Sequence, residues 1–156
     1  MARQRKHTVL VVDDESAILE SLRAILEDDF EVFSASSGSD ALRIVREKVP
    51  TLVFLDIRFP EEDGMEILTT IKQLSPHTKV IMETGYPDMD SALRSIELGA
   101  CDYLTKPFGP KEVESSLEAV LKEGSTAPNW EDLVARWLAK RRTVFGRAFA
   151  GRYAFD

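Results

Sequence analysis

The sequence is poor in cysteine: its 156 residues hold one, Cys101. That excludes an intrachain disulfide and any cysteine cluster of the zinc type. Cys101 itself reads as a small buried hydrophobe. Long apolar runs are missing too. The basic start, MARQRKH, leads into Val9-Leu10-Val11-Val12, but this stretch is short and runs into Asp13-Asp14. No signal peptide or membrane span is expected, and the cytoplasm is the expected location. An excess of positive charge is also lacking. A net charge of −7 argues against the whole chain being a nucleic-acid binder, while leaving room for a basic sub-segment. What remains is ordinary for a folded soluble protein, with 44% hydrophobic and 30% charged residues. The length fits one domain plus an extension, enough to bury a real core.

Short β-branched runs alternate with helical periodicity. Strands are expected at 8–12 (TVLVV), 31–34 (EVFS), 52–55 (LVFL), 79–82 (KVIM) and 101–104 (CDYL). Between them, apolar residues recur at a spacing near 3.6 over 15–27, 38–48, 64–74, 88–98 and 110–122. Pro50 and Pro76 follow helices, Gly99 sits just past one, and Pro110 suits a first helical turn. Five β-α units with right-handed crossovers imply a doubly wound parallel sheet with helices on both faces. Ligands of such sheets bind outside the carboxyl ends of the strands.

The composition changes at Gly124. Residues 124–128 (GSTAP) read as a linker, and 129–156 as a basic, aromatic helical tail. Residues 124–156 carry six Lys/Arg against three Asp/Glu, whereas residues 1–123 carry 14 against 24. The tail is therefore a separate piece of chemistry from the acidic domain before it.

The stretch LVFLDIRFP poses the sharpest question, because its apolar run stops on Asp56. An unpaired buried carboxylate costs several kcal/mol or more, so such a group is normally paired, metal-bound or protonated. The other strand ends suggest partners. Asp13 and Asp14 follow the first strand, Glu83, Thr84 and Gly85 the fourth, and Thr105, Lys106 and Pro107 the fifth. Brought to one edge, the aspartates call for compensation by a hard divalent cation, with Mg²⁺ fitting oxygen ligands, and by the Lys106 ammonium. Such a site welcomes a phosphoryl group, with an aspartate as nucleophile. Glu83 reads as a solvated loop charge beside Thr84.

These pieces resemble the receiver domain of bacterial two-component response regulators. The matching segments are VLVVDDE at 9–15, LDIRFPEEDG at 55–64, VIMETGY at 80–86 and DYLTKPF at 102–108, in family order and spacing over residues 7–123. The stretch 84–108 is most similar to receivers of NtrC-like regulators. The resemblance implies a flavodoxin-like sheet of order 2-1-3-4-5. It implies that Asp56 accepts a phosphoryl group from a sensor histidine kinase. Mg²⁺ would be held by Asp13, Asp14, Asp56 and the backbone carbonyl of Arg58. Thr84 would be the switch hydroxyl, Tyr103 the switch aromatic, and Lys106 the phosphoryl contact, with Lys106-Pro107 cis. Phe59 and Glu62 stand where the family often has Met. Arg58 and Tyr86 lie at positions that tune the phosphoryl lifetime in the family.

Output is expected through a switched surface over 88–122, acting on a protein partner or a homodimer, with the tail as an interaction element. The alternative makes the tail an effector that binds a membrane surface or nucleic acid. Phosphoaspartate hydrolases of the haloacid dehalogenase type use related chemistry but need an Asp-x-Asp pair. Asp56-Ile57-Arg58 lacks its second aspartate. The chain is accordingly read as a signalling protein that catalyses only its own phosphorylation and dephosphorylation.

Overall fold

In a computed structural model of the protein, residues 7–122 are described. The linker expected at 124–128, the helical tail expected at 129–156 and Glu123 lie outside the described residues. Five strands alternate with five helices: β1 His7–Val12, α1 Ser16–Leu26, β2 Phe30–Ala35, α2 Gly38–Lys48, β3 Leu52–Asp56, α3 Gly64–Leu74, β4 Lys79–Thr84, α4 Met89–Glu97, β5 Asp102–Thr105 and α5 Pro110–Lys122. The strands form one parallel sheet of order β2-β1-β3-β4-β5. Both the β-α alternation and the strand order agree with the expectation from sequence.

Two cores follow from the pleat, which sends alternate side chains to opposite faces. One face carries Leu10, Val12, Val53, Leu55, Val80, Met82 and Tyr103 and packs against α2, α3 and α4. The other carries Val9, Val11, Leu52, Phe54, Ile81 and Leu104 and packs against α1 and α5. β1 and β3 are covered on both sides, which is why they read as unbroken apolar runs.

Local chemistry sets the helix starts. Ser37 Oγ accepts the Asp40 N–H to cap α2, Asp63 Oδ1 accepts the Met65 N–H to cap α3, and Asp88 Oδ1 accepts the Ser91 N–H to cap α4. Helix α2 closes on Val49, at φ 44°, a left-handed position unusual for a β-branched residue. Gly64 opens α3 pressed against the end of β3. A Cβ there would come within 2.6 Å of the Ile57 carbonyl oxygen and would also meet the Asp56 carbonyl. Only glycine lets the chain turn this tightly behind Asp56.

Candidate functional site

The parity of the strands brings four ionisable side chains to one corner. Asp13 lies two residues beyond Val11, Asp56 two beyond Phe54, Glu83 two beyond Ile81 and Lys106 two beyond Leu104. All four therefore emerge on the α1/α5 face at the carboxyl edge of the sheet. Lys106 is the hub. Its Nζ lies 2.7 Å from Asp13 Oδ2, 3.4 Å from Asp56 Oδ2 and 3.5 Å from Glu15 Oε1. The Asp13 contact is an ion pair rather than an aligned hydrogen bond. Backbone N–H groups serve the other oxygens, Glu15 N–H to Asp13 Oδ1 at 2.9 Å and Arg58 N–H to Asp56 Oδ1 at 3.2 Å.

The electrostatics separate the acids. Burial and the neighbouring Asp13 charge raise the Asp56 pKa to about 6, against the pull of Lys106. Burial works on Asp13 in the same direction, but the neighbouring Glu83 carboxyl, the Lys106 ammonium and the Glu15 N–H outweigh it and hold its pKa below the ordinary value. Burial also works against the Lys106 ammonium. Asp13, Asp56 and Glu83 together overcome it and keep the lysine's pKa above its usual value.

Carboxylate oxygens of Asp13, Asp14 and Glu15 lie within 4.8 Å of one another, with Asp13 buried and the other two exposed. A hard divalent cation fits this donor set: oxygen ligands only, one of them on a buried acid whose charge is kept. Glu15 was not among the residues singled out from sequence. The quoted run VLVVDDE contains it, and its place one residue after the acidic pair was the available signal.

The remaining expected residues sit around this corner. Thr84 is buried, its hydroxyl accepting the Tyr86 N–H at 3.0 Å and its carbonyl accepting the Lys106 N–H at 2.7 Å. Lys106-Pro107 is cis, as the resemblance implied. The Arg58 guanidinium stands 5.0 Å over the Tyr86 ring, beside the site. Tyr103 is on the opposite face of the sheet, 1% exposed, with its hydroxyl 2.9 Å from Ser91 Oγ of α4. The expected switch aromatic is thus already turned inward.

One reading needs correction. Glu83 is not a solvated loop charge. Strand β4 runs to Thr84, and Glu83 is fully buried within it. Glu62 replaces a family methionine with a carboxylate that accepts the Gly38 N–H at 2.7 Å, tying the β3–α3 loop to the start of α2.

The sheet order 2-1-3-4-5 and the aspartate–lysine corner at its carboxyl edge fit a signalling receiver module. The family model of the response regulator receiver domain matches residues 9–118, and the chain belongs to this family of two-component signalling receivers. It is 36% identical over 120 residues to the alkaline phosphatase synthesis transcriptional regulatory protein PhoP of Bacillus subtilis, covering 76% of this chain and 50% of PhoP. It is 36% identical over 113 residues to the alginate biosynthesis transcriptional regulatory protein AlgB of Pseudomonas putida, covering 72% of this chain and 25% of AlgB. The chain thus spans half or less of these relatives. Among solved structures, a response regulator receiver domain from Clostridium thermocellum matches with a TM-score of 0.69 and 37% identity, covering 75% of this chain and 96% of that one. PhoP matches as well as AlgB, so a special likeness to NtrC-like receivers is not singled out. Among the described residues, no helix is long and apolar enough to cross a membrane.

Proposed function

We propose that Asp56 accepts a phosphoryl group from the phosphohistidine of a sensor kinase. One carboxylate oxygen attacks phosphorus, the P–N bond breaks and the imidazole leaves with its electron pair. The observation that carries this reading is the Lys106 ammonium bridging Asp13 and Asp56 at 2.7 and 3.4 Å. Lys106 holds the nucleophile in place and stands ready to pair with a phosphoryl oxygen.

Asp13, Asp14, Asp56 and the Arg58 carbonyl would hold Mg²⁺, with Glu15 beside them. The cation would supply neutralisation of the charge on the transferring phosphoryl. The Thr84 hydroxyl, whose oxygen accepts the Tyr86 N–H, turns to donate its proton to a phosphoryl oxygen, and the loop after β4 follows. Tyr103, already bonded to Ser91, ties that change to α4. The altered 88–122 surface then acts on a protein partner or a second copy of the chain. The module works in the cytoplasm, residues 7–123 form the receiver, and its only catalysis is gain and loss of its own phosphoryl group.

Incubation with a small phosphodonor and Mg²⁺ tests this. Intact protein should gain the mass of one phosphoryl group, and Asp56→Ala should gain none. Equal gain by both proteins would reject Asp56 as the acceptor.

A further inference from the structure

An open groove of about 620 Å³ is formed by α2, by the 59–63 loop after β3 and by the first turns of α3. Leu42, Phe59 and Ile67 supply its apolar floor, and the first two are only partly covered by the core they pack against. Glu61, Glu62, Asp63 and Glu66 stand on its rim, all four exposed. Two of these acids are committed to backbone N–H groups, Glu62 to Gly38 and Asp63 to Met65. Glu61 and Glu66 form no ion pair among the described residues, and no Lys or Arg among them lines the groove.

An acidic rim over an apolar floor specifies what fits it: cations interleaved with aromatic or aliphatic side chains. The chain carries such a segment itself. Residues 133–155 contain six Lys/Arg and no Asp/Glu, whereas residues 1–123 carry 14 Lys/Arg against 24 Asp/Glu. Within that segment, Lys140, Arg141, Arg142 and Arg147 are interleaved with Val144, Phe145 and Phe149. The groove is within its reach. Helix α5 ends at Lys122, and the 17 residues from 123 to 139 can extend to about 56 Å. A domain of this size is roughly 35 Å across. Tethering also presents the segment at an effective concentration on the order of millimolar, so contacts too weak to join separate molecules suffice.

We propose that this groove is the docking site of the chain's own segment 140–149, with its aromatic side chains on the Leu42, Phe59 and Ile67 floor and its cations paired with Glu61 and Glu66. The rim continues the loop whose Arg58 N–H holds Asp56 Oδ1, so the docked segment lies against the chain that leads out of Asp56. Docking needs neither a phosphoryl group nor a metal ion.

The test uses dilute full chain, as an equal mixture of unlabelled and ¹⁵N-labelled protein. A carbodiimide joins an ammonium to an adjacent carboxylate, and Lys140 is the single lysine of residues 124–156. Peptide mass spectrometry should find Lys140 joined to Glu61 or Glu66 with matching labels. Lys140 joined elsewhere, or left unjoined, would overturn the assignment. Pairs with mixed labels would overturn docking within one chain and make the groove an interface between copies. Charge reversal gives a second readout. In Glu61→Lys with Glu66→Lys, chymotryptic cleavage after Phe145 and Phe149 should speed up roughly tenfold, because two attractions become repulsions. Adding Arg142→Glu and Arg147→Glu should restore the parent rate. Both rim acids are exposed, so the fold tolerates their exchange, which thermal unfolding verifies. Cleavage at the parent rate in the reversed variant, or no recovery in the combined one, would overturn the pairing.

Discussion

The two edges of the sheet are built on opposite terms. At the amino edge, buried polar groups find full partnership. Thr78 Oγ1 donates to the Pro50 carbonyl at 2.7 Å and lies 2.6 Å from Ser75 Oγ. Lys72 Nζ donates to the carbonyls of Pro76 and Thr78, and Lys79 Nζ donates to the Val120 carbonyl near the end of α5. At the carboxyl edge, Asp13, Glu15 and Asp56 share one ammonium, and Glu83 has no donor at all. One edge secures the connections that hold the layers together. The other keeps unspent electrostatic demand, which is what a cation and a phosphoryl group require. The difference shows that burial alone does not mark a structural residue: satisfied burial does, and unsatisfied burial marks the site.

Lys106→Met should break the comparison most. It strands two buried carboxylates, and removing one partner of a buried pair costs about 3 kcal/mol or more. Chemical denaturation of metal-free protein at pH 7.5 should show that loss, with a smaller one at pH 5, where protonation relieves the acids. Equal losses at both pH values would mean that Lys106 acts by packing.

Thr78→Val is the counterpart at the other edge. It leaves the Pro50 carbonyl and Ser75 short of a partner, for about 2 kcal/mol. Phosphoryl uptake measured by intact mass should be unchanged. A loss of uptake with the fold intact would show that the two edges are not independent.

Asp56→Asn sharpens the contrast, because here a substitution at the site should stabilise. The folded-state pKa of about 6 lies above the ordinary 3.8, so the native state binds the proton more tightly than the unfolded chain. The associated stability is full below pH 4 and is lost as pH rises through 6. Above that, metal-free Asn variant should exceed the parent by about 3 kcal/mol, and the two should converge toward pH 4. Denaturant midpoints across pH 4–8 read this directly, and a constant difference would remove the burial argument.

The smallest effect belongs to Val49→Gly. It relieves a left-handed β-branched residue at the end of α2, 63% exposed, and should raise stability by about 1 kcal/mol without touching phosphoryl uptake. Thermal denaturation is sensitive enough to see it.

Much of this architecture was legible because the signals were redundant. Periodicity, proline and glycine placement all pointed to the same elements, and the helices expected at 38–48, 64–74 and 110–122 appear with those bounds. The aspartate–lysine corner was legible because Asp13, Asp56 and Lys106 each stand at or just beyond the end of a strand. Glu83 was misread for a physical reason. A carboxylate after VIM looks like the start of a loop, since strands seldom bury one, so the strand was ended at 82. Parity with Ile81 would have placed it inward, yet only the register shows that it lands beside Asp56 and Asp13. The inward Tyr103 was equally hidden. An aromatic on β5 fits either rotamer, and its bond to Ser91 depends on how α4 sits against the sheet.

The most direct measurement maps the modified residue. Protein treated with a small phosphodonor and Mg²⁺ is reduced with borohydride, which converts an aspartyl phosphate to homoserine, and is then read by peptide mass spectrometry. The account predicts homoserine at Asp56, with Asp13 and Asp14 unchanged. Homoserine at another aspartate, or none in protein that has gained a phosphoryl group, would contradict it.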